Sequence, residues 1–247
     1  MDPNRPAPNK TSPWMYIGCG CGLLVFLCLA AIGGLSYFGY KKGKDIEQTF
    51  KDPVKRAAKT RETLHYDELP AGYYPVGAFS IPFVMDIAIL SDREQPAGAD
   101  QGDDGGFEER GFIYMVLHDW MGKRQELQDY MEGKGKRPDW MKKSDVNLET
   151  QEVISRGKLE IDGRPVYYAT SRGEVQRRHS RQRHRAKGLV TLLSVDCPED
   201  RRLRLGIWFG PDPDPSKPAD TLDLSGTTAD PAAIKEFAGH FHFCRQE

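Results

Sequence analysis

The sequence predicts a single N-terminal transmembrane helix followed by one α+β domain, built as an antiparallel sheet with a few helices. Three observations lead there: an uncharged run from Thr11 to Tyr40, short apolar segments separated by turn residues from about Leu69 onward, and helix-start signals at Asp52-Pro53 and Asp230-Pro231. A chain of 247 residues has room for an anchor and one domain, or for two small domains at most. With 38% hydrophobic residues and 25 Gly, wholesale disorder and collagen-like repeats are excluded. A formal charge of -1 argues against a generic polyanion binder, although 29% charged residues leave room for strong local fields.

Residues 1–13 carry four Pro and two Asn without periodicity and read as a disordered tail. Trp14 to Tyr40 holds 20 hydrophobic residues, six Gly and one Ser. As a helix it would span about 40 Å, enough for the hydrocarbon layer and both interfaces. Trp14 and Tyr16 at one end, with Tyr37, Phe38 and Tyr40 at the other, are placed for the headgroup level. A cleaved signal peptide is the alternative, since Ala31-Ile32-Gly33 fits a small-x-small site; the apolar run continues past it. Gly18, Gly22, Ala30 and Gly34 share a small-x-x-x-small stripe, which makes self-association into a homodimer an open alternative.

The expected location is a cell membrane, with the side of the body left open. Lys41, Lys42, Lys44, Lys51, Lys55 and Arg56 follow the apolar run and favour the cytoplasm. Three cysteines lie within the run, and the remaining two, Cys197 and Cys244, form an even pair that suits a disulfide in an oxidising compartment.

Residues 41–68 read as a polar juxtamembrane stalk, helical from about Pro53 to Tyr66 because Asp52 is a good N-cap and Pro a good first residue. The domain follows over residues 69–247. Phe79 to Leu90 is dense in apolar residues, Gly111 to His118 reads as a buried strand, and Lys123 to Met131 as a short helix. Val153 to Ile161 and Arg164 to Ser171 flank Asp162-Gly163, a hairpin turn signal. Gly188 to Cys197 and Arg201 to Phe209 are two further strands. In the last, Leu203, Leu205, Ile207 and Phe209 share a core-facing side, which leaves Arg204 and Trp208 toward water or a partner. A Pro-rich loop and a helix from Asp230-Pro231 to about Gly239 close the chain, for five to seven strands in all.

The hairpin Ile161 to Tyr168 (I-D-G-R-P-V-Y-Y), two further strands and a terminal helix ending in Phe241-x-Phe243 together resemble the PsbP-like α+β fold over residues 69–244. That resemblance rests on element order and one glycine turn. It implies an accessory or binding domain of the kind often attached to membranes. Two charged insertions and the Pro-rich loop depart from the compact pattern.

Two segments carry opposite charge. Asp92 to Glu109 holds seven acids and one base; Arg172 to Lys187 holds seven bases and one acid. Both lie between expected strands, so they would attract each other from one end of the sheet or polarise the domain from opposite ends. Arg172, Arg177, Arg178, Arg181, Arg183, Arg185 and Lys187 form a candidate surface for anionic lipid or an acidic protein, with a plain solvated hairpin tip as the alternative. Nucleic acid is disfavoured because aromatics that stack on bases are missing from this loop. His240, His242 and Cys244 alternate, and on an extended strand would offer three metal ligands on one face, in competition with a Cys197 to Cys244 bridge. His118-Asp119 is the best isolated acid–base pair. No phosphate loop, nucleophile elbow, zinc helix or cofactor fingerprint is present, and no cofactor is expected. The functional expectation is therefore a single-pass membrane protein with a non-catalytic binding module, an enzyme with a His-based or metal site being the alternative.

Overall fold

The computed structural model describes residues 49–96, 107–118, 122–139, 148–176 and 185–244. Helix α1 (Pro53–Leu64) begins where Asp52 Oδ1 accepts the Val54 and Lys55 N–H groups at 2.9 and 3.3 Å. It ends at His65, which sits in the left-handed region at φ 49°. Strands β1 (Tyr74–Ile81), β2 (Met85–Ser91) and β3 (Gly111–Leu117) follow as a meander, then α2 (Lys123–Met131). A second meander comprises β4 (Leu148–Ile161), β5 (Arg164–Gln176), β6 (Arg185–Val195) and β7 (Leu203–Pro211). Helix α3 (Pro231–Ala238) closes the order, capped by Asp230, whose carboxylate accepts the Ala232 N–H at 2.9 Å and the Gly226 N–H at 2.8 Å. A cap of this kind contributes about 1 kcal/mol.

The meanders join through β3 and β7 into one antiparallel sheet, β1-β2-β3-β7-β6-β5-β4. The β4–β5 turn is the one signalled by Asp162-Gly163, both at positive φ (50° and 70°), which matches the twist of the flanking strands. The Phe79 to Leu90 run divides instead into a hairpin. Its tip is Pro82-Phe83-Val84, closed by Val84 N–H donating to Ile81 C=O at 3.0 Å, with Phe83 at φ 63° and exposed.

These observations correct the expected fold class. The described body is a seven-stranded antiparallel sheet with a minor helical part, its helices only 12, 9 and 8 residues long. Among the described residues no helix is long and apolar enough to cross a membrane. The sheet dominates the described body because β4 and β5 run on for 14 and 13 residues through charged positions. The span expected over residues 14–40, with its packing candidates Gly18, Gly22, Ala30 and Gly34, lies outside the described residues.

Both faces of the sheet are covered. On one, Leu64 and Tyr66 at the end of α1, Ile234 and Phe237 of α3, and the terminal Phe241 and Phe243 pack on Leu90, Phe112, Tyr114, Tyr168, Leu193 and Trp208. The aromatic rings interlock there: Trp208 stacks on Phe237 at 4.2 Å, and Phe112 lies edge-on to Phe237 at 5.1 Å. Phe112 also presses onto bare backbone, since a Cβ added to Gly206 would sit 2.8 Å from its ring. On the other face, Leu127, Tyr130 and Met131 of α2 cover Val190, Leu192, Leu203, Leu205 and Ile207.

The alternation expected for β7 is therefore present, but its outward side is not outward. Trp208 is buried and donates its Nε1–H to the Tyr73 hydroxyl at 2.7 Å, and Arg204 is 2% exposed. Helices α1 and α3 and the C-terminal segment cover the face that β7 alone leaves open.

Cys197, just past β6, and Cys244, past α3, are joined by a disulfide with Cα atoms 5.5 Å apart. The segment between α3 and Cys244 is held from its other side as well, by His242 N–H donating to His65 C=O at 2.8 Å and by a β-bridge between Tyr66 and Phe241.

Candidate functional site

The register of four strands builds a lateral row. Ser80 of β1 pairs with Asp86 of β2, Asp86 with Val116 of β3, and Val116 with Arg204 of β7. Directly paired residues share a face, so Ser80, Asp86, Val116 and Arg204 all project to the side that α1 crosses. Above the row stand Lys59, Glu62 and Thr63 of α1 with His65; beside it stand Phe243 and the β6–β7 turn with Glu199, Asp200 and Arg202. Together with Tyr114 they enclose a cleft of about 400 Å³.

The turn is made rigid from both faces of the sheet. Arg124 of α2 donates from one side to the Asp196 carboxylate at 3.1 Å and to the Arg202 carbonyl at 2.9 Å. From the other, Asp200 accepts the Arg202 backbone N–H at 2.9 Å, Arg202 Nε–H at 2.7 Å and Arg204 Nη2–H at 2.6 Å. Burial alone would raise the Asp200 carboxyl pKa, but the Arg202 N–H and the two guanidinium groups outweigh it and hold it at about 2. Burial keeps the Tyr114 hydroxyl protonated, its pKa raised although Arg204 and Arg202 act against the shift.

Arg204 is the unusual group. Its side chain is 3% exposed, Nη2 donates to Asp200, and Nε and Nη1 are shut off from solvent, with the Tyr114 hydroxyl beside the guanidinium. Buried donors left unmade cost about 1–3 kcal/mol each, more on a charged group. Elsewhere in the cleft the charges are matched: Lys59 to Glu62 at 2.8 Å, and Glu199 to Arg164 at 2.9 Å. Asp86 faces the cleft with no ion-pair partner among the described residues.

The residues singled out from sequence fall elsewhere. Arg172 does not belong to a basic loop. It lies in β5, pairs with Asp212 through Nε and Nη2, and donates to the carbonyls of Lys217 and Asp214 at 2.7 and 2.8 Å, so it clamps the Pro-rich loop. Arg185 and Lys187 are strand residues of β6, opposite Gln176 and Glu174. Arg177, Arg178, Arg181 and Arg183 lie outside the described residues, as do Asp119 and most of the acidic segment. Asp92, counted among the loop acids, is an anchor: its carboxylate accepts the N–H groups of Glu108, Glu109 and Arg110 at 2.9, 2.8 and 2.8 Å. Against the upward push of burial, these bonds lower its pKa. The strands carrying the two charged segments end on the same side, β2–β3 and β5–β6, three strand spacings or ~14 Å apart.

The metal reading of His240, His242 and Cys244 is corrected. The segment is paired only at Phe241 and turns on either side of it, and Cys244 is spent on the disulfide. His240 Nδ1 meets the Glu68 carbonyl at 3.3 Å, while His242 lies between Asp67 at 3.2 Å and Asp162 at 3.7 Å. Among the described residues no group of three His, Cys, Asp or Glu side chains is placed to hold a metal. His118 stands exposed at the end of β3.

Asp200 and Arg204 are absent from the sequence candidates because the alternation of the strand places Arg204 toward water or a partner. The available signal was the strand itself: LRLGIWF leaves one charge among apolar residues, with an acid four positions earlier. Neither a family model nor a curated protein sequence matches this chain.

Proposed function

We propose that the chain is a membrane-tethered binding module, which holds a small polar ligand in the cleft floored by Arg204 and does no chemistry on it. The observation that carries this reading is a cleft of ligand size walled by Asp86 on one side and by the Asp200, Arg202 and Arg204 charge cluster on the other. The uncharged run from Thr11 to Tyr40 supports the tether. The Cys197–Cys244 disulfide supports an oxidising compartment for the body, and the PsbP-like resemblance agrees with a binding rather than a catalytic role.

Non-denaturing mass spectrometry of the full chain, purified from alkali-washed membranes, tests the reading. A small molecule should leave the protein chemically intact, and should be absent from Arg204→Gln that retains its β-rich circular dichroism. A molecule released in altered form would make the protein an enzyme. Recovery of the chain in the wash would remove the tether, and an empty wild-type cleft would remove the binding reading.

A second reading concerns the end of the sheet where the charged segments leave. Arg177, Arg178, Arg181 and Arg183 lie between β5 and β6, and these strands continue three residues past the last β7 pairing, Gly188 with Pro211. Contact with anionic headgroups would contribute about 1 kcal/mol per basic residue at low salt. The full chain in nanodiscs should recruit anionic vesicles, and changing those four residues to Gln should abolish the recruitment. Recruitment unchanged by salt or by the substitutions would discard this reading.

A further inference from the structure

Resting on the tether proposed above, we infer that the body docks by its β1 edge on the bilayer that holds the anchor, with the β1–β2 tip as an apolar wedge in the lipid. Ile81, Pro82, Phe83 and Val84 are four consecutive exposed apolar residues, and Phe83 is 88% exposed. On a folded surface such a run marks a contact. The backbone repeats the signal. Phe83 stands at φ 63°, in the left-handed region where an aromatic residue is strained and glycine is not. The hairpin therefore holds a large apolar side chain in water at a conformational cost.

The other exposed apolar side chains follow the same edge. Among the described residues the large ones are Val54, Tyr74, Ile81, Phe83, Val84 and Val153. Val54 lies in the first turn of α1, while Tyr74 and Ile81 are the two ends of β1. Val153 alone falls outside the group, on β4 at the opposite edge of the sheet. The chain also joins the body here, because the Phe50 ring presses on Gly77 of β1 so closely that a Cβ at Gly77 would overlap it. Eight residues, 41–48, separate Tyr40 from the first described residue, Thr49, and fully extended they span no more than ~28 Å. From Gly77 the tip is ~20 Å along the hairpin. A bilayer that holds the run ending at Tyr40 is thus within reach of Phe83.

Lipid suits this tip better than a protein pocket or a second copy. From Phe79 to Met85 there is no charged residue. Pro82 has no N–H, the Val84 N–H is donated to the Ile81 carbonyl at 3.0 Å, and the Val84 carbonyl accepts the His118 N–H at 3.3 Å. Little hydrogen-bonding capacity is lost when such a turn enters hydrocarbon. A specific protein interface takes ~800 Å² from each partner, more than a four-residue tip supplies. A tethered body needs only a weak contact, since the anchor keeps the local concentration of lipid high.

Tryptophan fluorescence of the full chain in nanodiscs tests the docking. Val84→Trp reports from the tip, and Val153→Trp reports from the far edge, at least five strand spacings or ~24 Å away. Lipids brominated in their acyl chains should quench the emission added by Val84→Trp about twofold or more, and leave that added by Val153→Trp unchanged. Combining Val84→Trp with Phe83→Asp, a residue that tolerates the left-handed region, should abolish the quenching without lowering the thermal midpoint. An unquenched tip reporter in a chain that resists alkaline extraction overturns the docking and leaves the tether standing, whereas a chain extracted by alkali removes both. A tip reporter that is blue-shifted but unquenched is covered by protein, and equal quenching at both edges is collision without orientation. Either result also overturns the docking, as does quenching that survives Phe83→Asp.

Discussion

Removing the Cys197–Cys244 bond, by reduction or by replacing both residues with Ala, is expected to lower the stability of the folded body by about 4 kcal/mol. The figure follows from a sequence separation of 47 and the loop-closure entropy that the cross-link removes from the unfolded chain. For a body of this size it corresponds to a fall of ~8–16 °C in thermal midpoint. The consequence is local as well as global. The bridge anchors the segment from His240 to Cys244, which places Phe241 against Phe112 at 5.4 Å and Phe243 against Tyr114 at 5.3 Å. Its loss releases the aromatic cover of the Arg204 face from one end. Urea unfolding at neutral pH, with and without reductant, measures the difference, and peptide mapping under non-reducing conditions confirms the pairing. A change below about 1 kcal/mol would mean that the Tyr66–Phe241 bridge and the His242–His65 hydrogen bond hold this segment without help.

Where the rules are local, the sequence carries the structure. The starts of α1 and α3 follow from Asp-Pro pairs whose carboxylates cap the first turn, and the β4–β5 turn follows from an Asp-Gly pair that tolerates positive φ. The Lys123 to Met131 helix and the Gly111 strand also stand at their expected places. The failures share one physical cause, distance along the chain. Alternation in β7 says which residues share a face, but whether that face is dry depends on α1 and α3, over 130 residues before Arg204 and about 30 after it. The alternation alone therefore leaves Arg204 and Trp208 toward water or a partner, whereas the fold buries both. Arg172 was counted as a loop base because charge density says nothing about where a strand stops, and its partner Asp212 lies 40 residues away. The alternation of His240, His242 and Cys244 suggested an extended ligand face, whereas the chain turns on either side of the Phe241 bridge and Cys244 is bonded to Cys197. The pair of cysteines was legible as an even number; the cleft was not, because its row is assembled from four strands.

Asp200→Ala is expected to cost about 3–5 kcal/mol, the range for breaking a buried ion pair from one side. Arg204 would keep its charge at 3% exposure without its carboxylate, and Arg202 would lose its Nε partner. Glu199→Ala in the same turn is the control. It removes an exposed pair with Arg164, so its effect should be small beside that of Asp200→Ala. The pH dependence gives an independent reading. The Asp200 carboxyl is held at about 2 in the folded body against an ordinary value of 3.8, so its contribution is fully present above the ordinary value and is lost as pH falls from about 4 toward about 2. Asp200→Asn should flatten that limb of the stability profile, whereas Glu199→Gln should leave it in place. Pairing Asp200→Ala with Arg204→Met separates two meanings of the cleft. If the double variant regains most of the lost stability and also loses ligand, Arg204 is kept at a cost in stability for binding. If the wild type without ligand is already the more stable by several kcal/mol, the guanidinium is a structural strut.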